Sequence, residues 1–204
     1  IIPARGGSKS LPKKNILLLK GRPLLCHSVD YSLKSKLVTT TIVSTDSQEI
    51  ADIAKNCGAS VPFIRPDEFA QDDTRDYPVI RHALDFFEAR GQIFDLYILL
   101  RPTSPMRPSG LIEKAIEILK GNTNITSVRS MTRIKEHPYR AWKRHDDGSI
   151  SGFIDNEIES YNIPRQELPN LYFQTGDIEA IRRETIINGS VSGDCVFPLI
   201  IKHD

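Results

Sequence analysis

Apolar positions along this chain fall into two alternating rhythms. Over residues 22–35, Leu25, Val29 and Leu33 stand four apart, which places them on one face of a helix. Residues 40–44 are a short β-branched run, read as a strand. Beyond it Ile50, Ile53, Ala54 and Cys57 recur at helical spacing. Asp46 is placed to cap that helix, Glu49 to complete a capping box, and Gly58 to end it. Val79, Ile80, Ala83, Leu84 and Phe87 mark a third helix over residues 76–90, closed by Gly91. The uninterrupted apolar run 96–100 reads as a central strand covered on both faces. A fourth helix over residues 111–120 lies between Gly110 and Gly121, and a strand at 125–128 follows.

This succession predicts an α/β fold with a doubly wound, mostly parallel sheet of the Rossmann-like kind. Ligands on such sheets bind beyond the carboxyl ends of the strands. The loops after Pro3, Ser44, Leu100 and Val128 are therefore the ones expected to build a site. The alternation breaks near residue 131. From there to about residue 172 the chain is rich in Pro, Arg, Tyr and Asn and carries an Asp147-Gly148 hairpin signal. This stretch reads as a small hairpin-rich lobe inserted into one domain spanning residues 1–204, with 178–187 and 195–201 returning to the sheet.

Composition narrows the class. Charged residues at 26% and hydrophobic ones at 39% are ordinary for a soluble globular protein. The net charge of +1 hides two basic patches: residues 1–36 hold eight Lys or Arg against Asp30 alone, and residues 129–144 hold six against Glu136 alone. Local patches in a nearly neutral chain point to compact anionic ligands and away from a nucleic-acid track. Cys26, Cys57 and Cys195 lack metal-ligand spacing and are expected to be reduced, buried thiols of a cytoplasmic protein. No apolar run reaches membrane-spanning length and no signal peptide is visible. The chain opens in mid-strand, so a few leading residues are expected ahead of Ile1. Its histidines show neither a nucleophile nor a metal pattern.

The densest chemistry lies at the start, Ile-Ile-Pro-Ala-Arg-Gly-Gly-Ser-Lys-Ser-Leu-Pro-Lys-Lys-Asn. A buried strand opens into a glycine-containing basic loop. Gly6 and Gly7 let backbone amides approach an anion, Arg5 supplies a planar fork and Lys9 a mobile point charge. The run is neither a Walker loop nor a dinucleotide fingerprint. A solvated basic loop and a polyphosphate cradle both fit the residues alone. The order of residues, however, resembles the nucleotide-binding signature of the acylneuraminate cytidylyltransferases, with Ser10 where that family has Gly.

Further segments are similar to the same family in the same order. Val43-Ser44-Thr45-Asp46 ends the second strand. The segment from Val61 through Arg65-Pro66-Asp67-Glu68-Phe69-Ala70 resembles an Arg-Pro-x-Glu-Leu-Ala stretch of the nucleotide pocket, although as a sequence it is equally a surface turn. Arg75-Asp76-Tyr77 departs from the small Ser/Thr-rich residues the family has beside the cytosine. Leu100-Arg101-Pro102-Thr103-Ser104-Pro105-Met106-Arg107 resembles Leu-Gln-Pro-Thr-Ser-Pro-Leu-Arg, with Arg101 in place of Gln. Glu136-His137-Pro138-Tyr139-Arg140 and Pro164-Arg165-Gln166-Glu167-Leu168-Pro169 resemble segments of the lobe. In Tyr172-Phe173-Gln174-Thr175-Gly176-Asp177-Ile178-Glu179, Thr175 replaces an Asn and Glu179 a Tyr.

The resemblance implies transfer of CMP from CTP to a nonulosonic, sialic-type acid. It implies Arg5, Lys9 and Lys14 as catalytic residues, and Ala4, Arg5, Gly6, Gly7, Ser8, Lys9, Asn15, Asp46 and Arg65 as the nucleotide-binding set. Arg101, Thr103, Ser104, Thr175 and Glu179 would line the sugar subsite, with Arg140 and Arg165 reaching it in trans across a homodimer. Magnesium is the implied cofactor, its family ligands an Asp-x-Asp motif expected beyond Asp204. Nucleic acid and membrane are not implied partners. A CMP-Kdo synthetase-like enzyme and a catalytically silent binding homologue are the alternative readings. The three departures suggest retained nucleotide chemistry with a different sugar, and Arg101 and Glu179 are expected to form a compensating ion pair.

Overall fold

The computed structural model describes residues 1–7, 11–155 and 158–202. The chain divides into two compact units, Ile1–Ser130 with Thr175–Leu199, and Met131–Gln174 with the residues from Ile200 onward.

The first unit is α/β around a central sheet. Strand β1 (Ile2–Pro3) is followed by a small antiparallel pair, β2 (Leu18–Leu19) and β3 (Arg22–Pro23), then helix α1 (Leu24–Lys34). Strand β4 (Val43–Ser44) leads to α2 (Gln48–Asn56), and α3 (Asp76–Glu88) precedes β5 (Leu96–Leu99). Helix α4 (Leu111–Gly121) and strand β6 (Ser127–Arg133) follow. Strands β7 (Trp142–Arg144) and β8 (Ile150–Gly152) lie in the second unit. The long β9 (Tyr172–Arg182), α5 (Arg183–Ile187) and β10 (Val196–Ile200) close the chain.

Strand β1 pairs in parallel with β4, while the backbone of Ile1 bonds to Ile98 and Leu100 around β5. A four-stranded array runs β10-β6-β9-β5, in which β9 is antiparallel to β5 with Leu99 opposite Glu179. The core is aliphatic where the sheet meets its helices: Ile80 and Leu84 of α3 and Ile186 of α5 pack with Tyr97, Leu99 and Ile181. Each is nearly solvent-free, and burying a side chain of that size stabilises by about 1.5–3 kcal/mol.

Several expectations are corrected here. The helix predicted from residue 22 begins at Leu24, because Arg22 and Pro23 are paired with Leu19 and Leu18. Residues 183–187 form α5 instead of extending the strand. The cap of α2 is Ser47, whose side chain accepts from the Ile50 N–H, and not Asp46. Cys26 and Cys57 are joined by a disulfide, since α1 and the end of α2 bring their Cα atoms to 5.7 Å, within bonding range. The remaining thiol, Cys195, is exposed and not buried.

In the second unit β7 and β8 pair antiparallel, Lys143 opposite Ser151. Gly148 takes φ +85° in their turn, the left-handed backbone that an Asp-Gly hairpin needs. Trp142 stacks on Tyr161 at 4.3 Å between ring centres. Among the described residues no helix is long and apolar enough to cross a membrane.

Candidate active site

The first loop is shaped by contacts that lie far away in sequence. Gly6 donates its backbone N–H to the Asp46 carboxylate at 2.8 Å. A Cβ on Gly6 would stand 3.0 Å from the Ser47 Cβ, so the close approach of this loop to the start of α2 requires glycine. Buried Asn15 donates to the Arg5 carbonyl at 3.0 Å and ties the two ends of the loop together. Lys13 adopts a left-handed φ of 53°. Its ammonium leaves the loop for Glu49 at 2.7 Å. Lys14, the next residue, instead faces the cavity. Ser8 and Lys9 lie outside the described residues.

That cavity, of about 210 Å3, opens at the ends of β1 and β5. Its lining includes Arg5, Gly7, Lys14 and Asn15, then Arg65, Phe69 and Asp76, and also Arg101 and Thr103. Ala4 is fully buried and holds the Ser44 carbonyl through its backbone N–H at 2.9 Å. Arg5 is engaged by the 71–72 segment, donating to the Gln71 carbonyl at 2.7 Å and pairing with Asp72 at 2.9 Å. Arg65 is 97% buried by side chain, with Asp46 3.9 Å away and no partner for its Nε. Burial lowers its pKa, and the Asp46 charge offsets part of that effect. Asp46 thus serves the site through the Gly6 amide and the Arg65 charge, which a capping carboxylate would not do.

The wall around Arg101 is the most highly charged part of the site. Arg101 donates to both Asp76 and Glu179. Glu179, 1% exposed, also meets Arg129 at 3.0 Å. Burial works against the Arg101 charge, but Glu179 and Asp76 outweigh it and hold its pKa above the ordinary value. The expected ion pair between Arg101 and Glu179 is therefore present. Glu179 itself is too deeply buried to meet a ligand except through Arg101. Thr175 donates to the Ser130 hydroxyl at 2.9 Å, and Ser104 to the Gly176 carbonyl at 3.3 Å, so the two hydroxyls brace β9.

Four positions carry more of this geometry than their sequence suggested. Arg107 is buried, donates to Ser28 at 2.9 Å and to the Asp177 and Arg101 carbonyls, and burial brings its pKa down to about 10. Asp72, Asp76 and Arg129 likewise received no role from their positions. For Arg107 the two prolines before it were a usable signal of a rigid turn needing internal donors. In the second unit, Arg140 donates to the carbonyls of Tyr161 and Ile163, while Arg165 is exposed. Among the described residues no group of three or more His, Cys, Asp or Glu could hold a metal ion.

Comparison with known proteins adds to this geometry. Residues 1–152 match the Cytidylyltransferase family. A CMP-N,N'-diacetyllegionaminic acid synthase of Legionella pneumophila is 36% identical over 98% of this chain and 85% of its own length. An N-acylneuraminate cytidylyltransferase of Escherichia coli is 36% identical over 79% of the chain, which spans 37% of that longer protein. A pseudaminic acid cytidylyltransferase of Campylobacter jejuni is 28% identical over 86% of the chain and 74% of its own length. Among solved structures, a CMP:2-keto-3-deoxy-manno-octonic acid synthetase complexed with CTP superposes with a TM-score of 0.70. The match covers 98% of this chain and 88% of that one at 18% identity, a likeness of fold.

Proposed function

The chain belongs to the acylneuraminate-type cytidylyltransferases, and we propose that it joins CTP to a nonulosonic, sialic-type acid sugar, giving a CMP-sugar and pyrophosphate. The observation that carries this reading is one cavity whose lining brings Arg5, Lys14 and Arg65 together with Arg101 and Thr103. Cations for a polyphosphate and hydrogen-bonding groups for a second substrate face the same space.

In the reaction a sugar hydroxyl oxygen bonds to the α-phosphorus, the bond to the bridging oxygen breaks, and pyrophosphate leaves as the hydroxyl proton passes to water. Such transfer depends chiefly on alignment and on stabilising charge at the phosphates. Arg5 and Lys9 hold the triphosphate, and Lys14 answers the charge on the transferring phosphate. Ala4, Gly6, Gly7, Ser8, Asn15, Asp46 and Arg65 make up the nucleotide-binding set. Thr103 forms the sugar side with Arg101, which Glu179 positions, and Ser104 and Thr175 support it by bracing β9. Arg140 and Arg165 contribute from a partner subunit, with residues 131 to about 172 as the dimer-forming lobe. We read the sheet as doubly wound and the protein as cytoplasmic, where its nucleotide is made. Magnesium is the cofactor in this reading, bound with the triphosphate and one or two carboxylates.

The test is pyrophosphate release with CTP, magnesium and a panel of nonulosonic and octulosonic acids. Release with a nonulosonic acid, abolished in Arg5→Ala, supports the proposal. Release only with an octulosonic acid, or with none, overturns it.

A further inference from the structure

We propose that Asp76 and Arg101 form a specificity-determining pair that reads one uncharged hydroxyl of the acid sugar, and that Glu179 is the residue positioning Arg101 for it. The inference rests on the reaction proposed above and concerns which chemical group of the second substrate is recognised.

The first observation is rigidity. Glu179 sits 1% exposed between two guanidinium groups, Arg101 and Arg129. The backbone of Arg101 is fixed as well: its carbonyl accepts from the Ser104 N–H at 3.1 Å, from the Ser28 hydroxyl at 3.3 Å, and from Arg107. A guanidinium held at both ends presents its remaining N–H groups in one direction, the preorganisation that a recognition site needs.

Charge is the second observation. Asp76, Glu179, Arg101 and Arg129 sum to zero, whereas the loop carrying Arg5 and Lys14 is cationic. An anion is drawn to the loop and gains little beside Asp76, whose carboxylate repels it. A protonated amine meets the converse obstacle at Arg101.

What remains is a neutral group able to serve an acceptor and a donor placed side by side. Asp76 is 37% exposed and shares the cavity wall with Arg101, so its oxygen accepts next to an Arg101 N–H that donates. A hydroxyl donates and accepts through a single oxygen and satisfies both. A secondary amide points its N–H and C=O in opposite directions and satisfies one at a time. The sugar carboxylate is accordingly bound elsewhere.

The experiment compares kcat/KM for the accepted acid sugar and for its monodeoxy analogues, each lacking one hydroxyl, at saturating CTP. Wild-type protein is expected to reject one analogue by about 10- to 100-fold, the range for a hydrogen bond to a charged group. Arg101→Gln and Asp76→Ala should raise KM for the parent sugar, leave KM for CTP within about twofold, and accept that analogue as well as the parent. Glu179→Gln should weaken the same discrimination without moving KM for CTP. If it fails to fold, the two cavity-wall variants carry the test. An unchanged ranking of analogues in active variants overturns this inference alone. So does a shift in CTP-over-UTP preference, which would assign the pair to the base. Wild-type protein that turns over no acid in the panel overturns both this inference and the proposed reaction.

Discussion

Neutralising Glu179 tests how the buried charges are balanced. In Glu179→Gln the shape is kept while the charge facing Arg101 and Arg129 is lost. At the 3.0 Å separation from Arg129 the gross attraction is about 5.5 kcal/mol for an effective dielectric near 20. Desolvating the carboxylate offsets much of it. Arg101 and Arg129 retain 25% and 17% exposure and can recover some hydration, so a net loss of about 2–3 kcal/mol is expected, below the full range for a broken buried pair. Urea unfolding at pH 7 of wild type, Arg101→Gln, Glu179→Gln and the double variant completes a cycle. The cost of removing the Arg129–Glu179 contact occurs in both variants that lack Glu179 and cancels. The double variant should lose about 1–2 kcal/mol less than the sum of the singles. Additivity within about 0.5 kcal/mol would refute the pairing as an energetic unit.

Gly6→Ala should disturb the loop by about 1–3 kcal/mol through its contact with Ser47, whereas Gly7→Ala meets no heavy atom within 4 Å and should melt like wild type. Equal melting shifts in the two would show the close approach to be unimportant. Asp72→Asn frees Arg5 from an exposed ion pair and should tighten CTP by up to about fivefold in calorimetry; weaker binding would instead make Asp72 part of the nucleotide site. Burial holds the His82 pKa below its ordinary 6.5. The unfolded chain therefore takes up the proton first, and stability complete above pH 6.5 is lost as the pH falls through the lowered value. His82→Gln should flatten that decline between pH 7.5 and 5.5, and parallel declines would exclude the residue as its source. Native, unreduced protein should expose one titratable thiol, Cys195. Cys26→Ser should lower stability by about 3–4 kcal/mol for a loop of 31 residues; three reactive thiols would contradict the disulfide.

The sequence alone determined the kind of elements and marked out the glycine-containing basic loop. Helical spacing in 76–90, the apolar run 96–100 and the Asp147-Gly148 turn encode contacts within a turn or two of each residue, and such contacts survive in the fold. The Arg-Gly-Gly loop was legible as a place of close backbone approach, which Gly6 makes against Ser47. What only the tertiary structure decided is which distant groups meet. Asp46 looked like a cap because its neighbours fit one, yet Ser47 takes that place and Asp46 reaches Gly6, forty residues away. Cys26 found Cys57 because two helices pack, which no spacing announced. Asp76, Arg101, Arg129 and Glu179 come from four separate elements. They converge because α3 starts beside the end of β5 while β9 lies antiparallel to it, with Glu179 opposite Leu99. Local pattern fixes how a segment folds. Strand order and helix packing fix which buried charges must neutralise one another, and in this protein that balance defines the second half of the site.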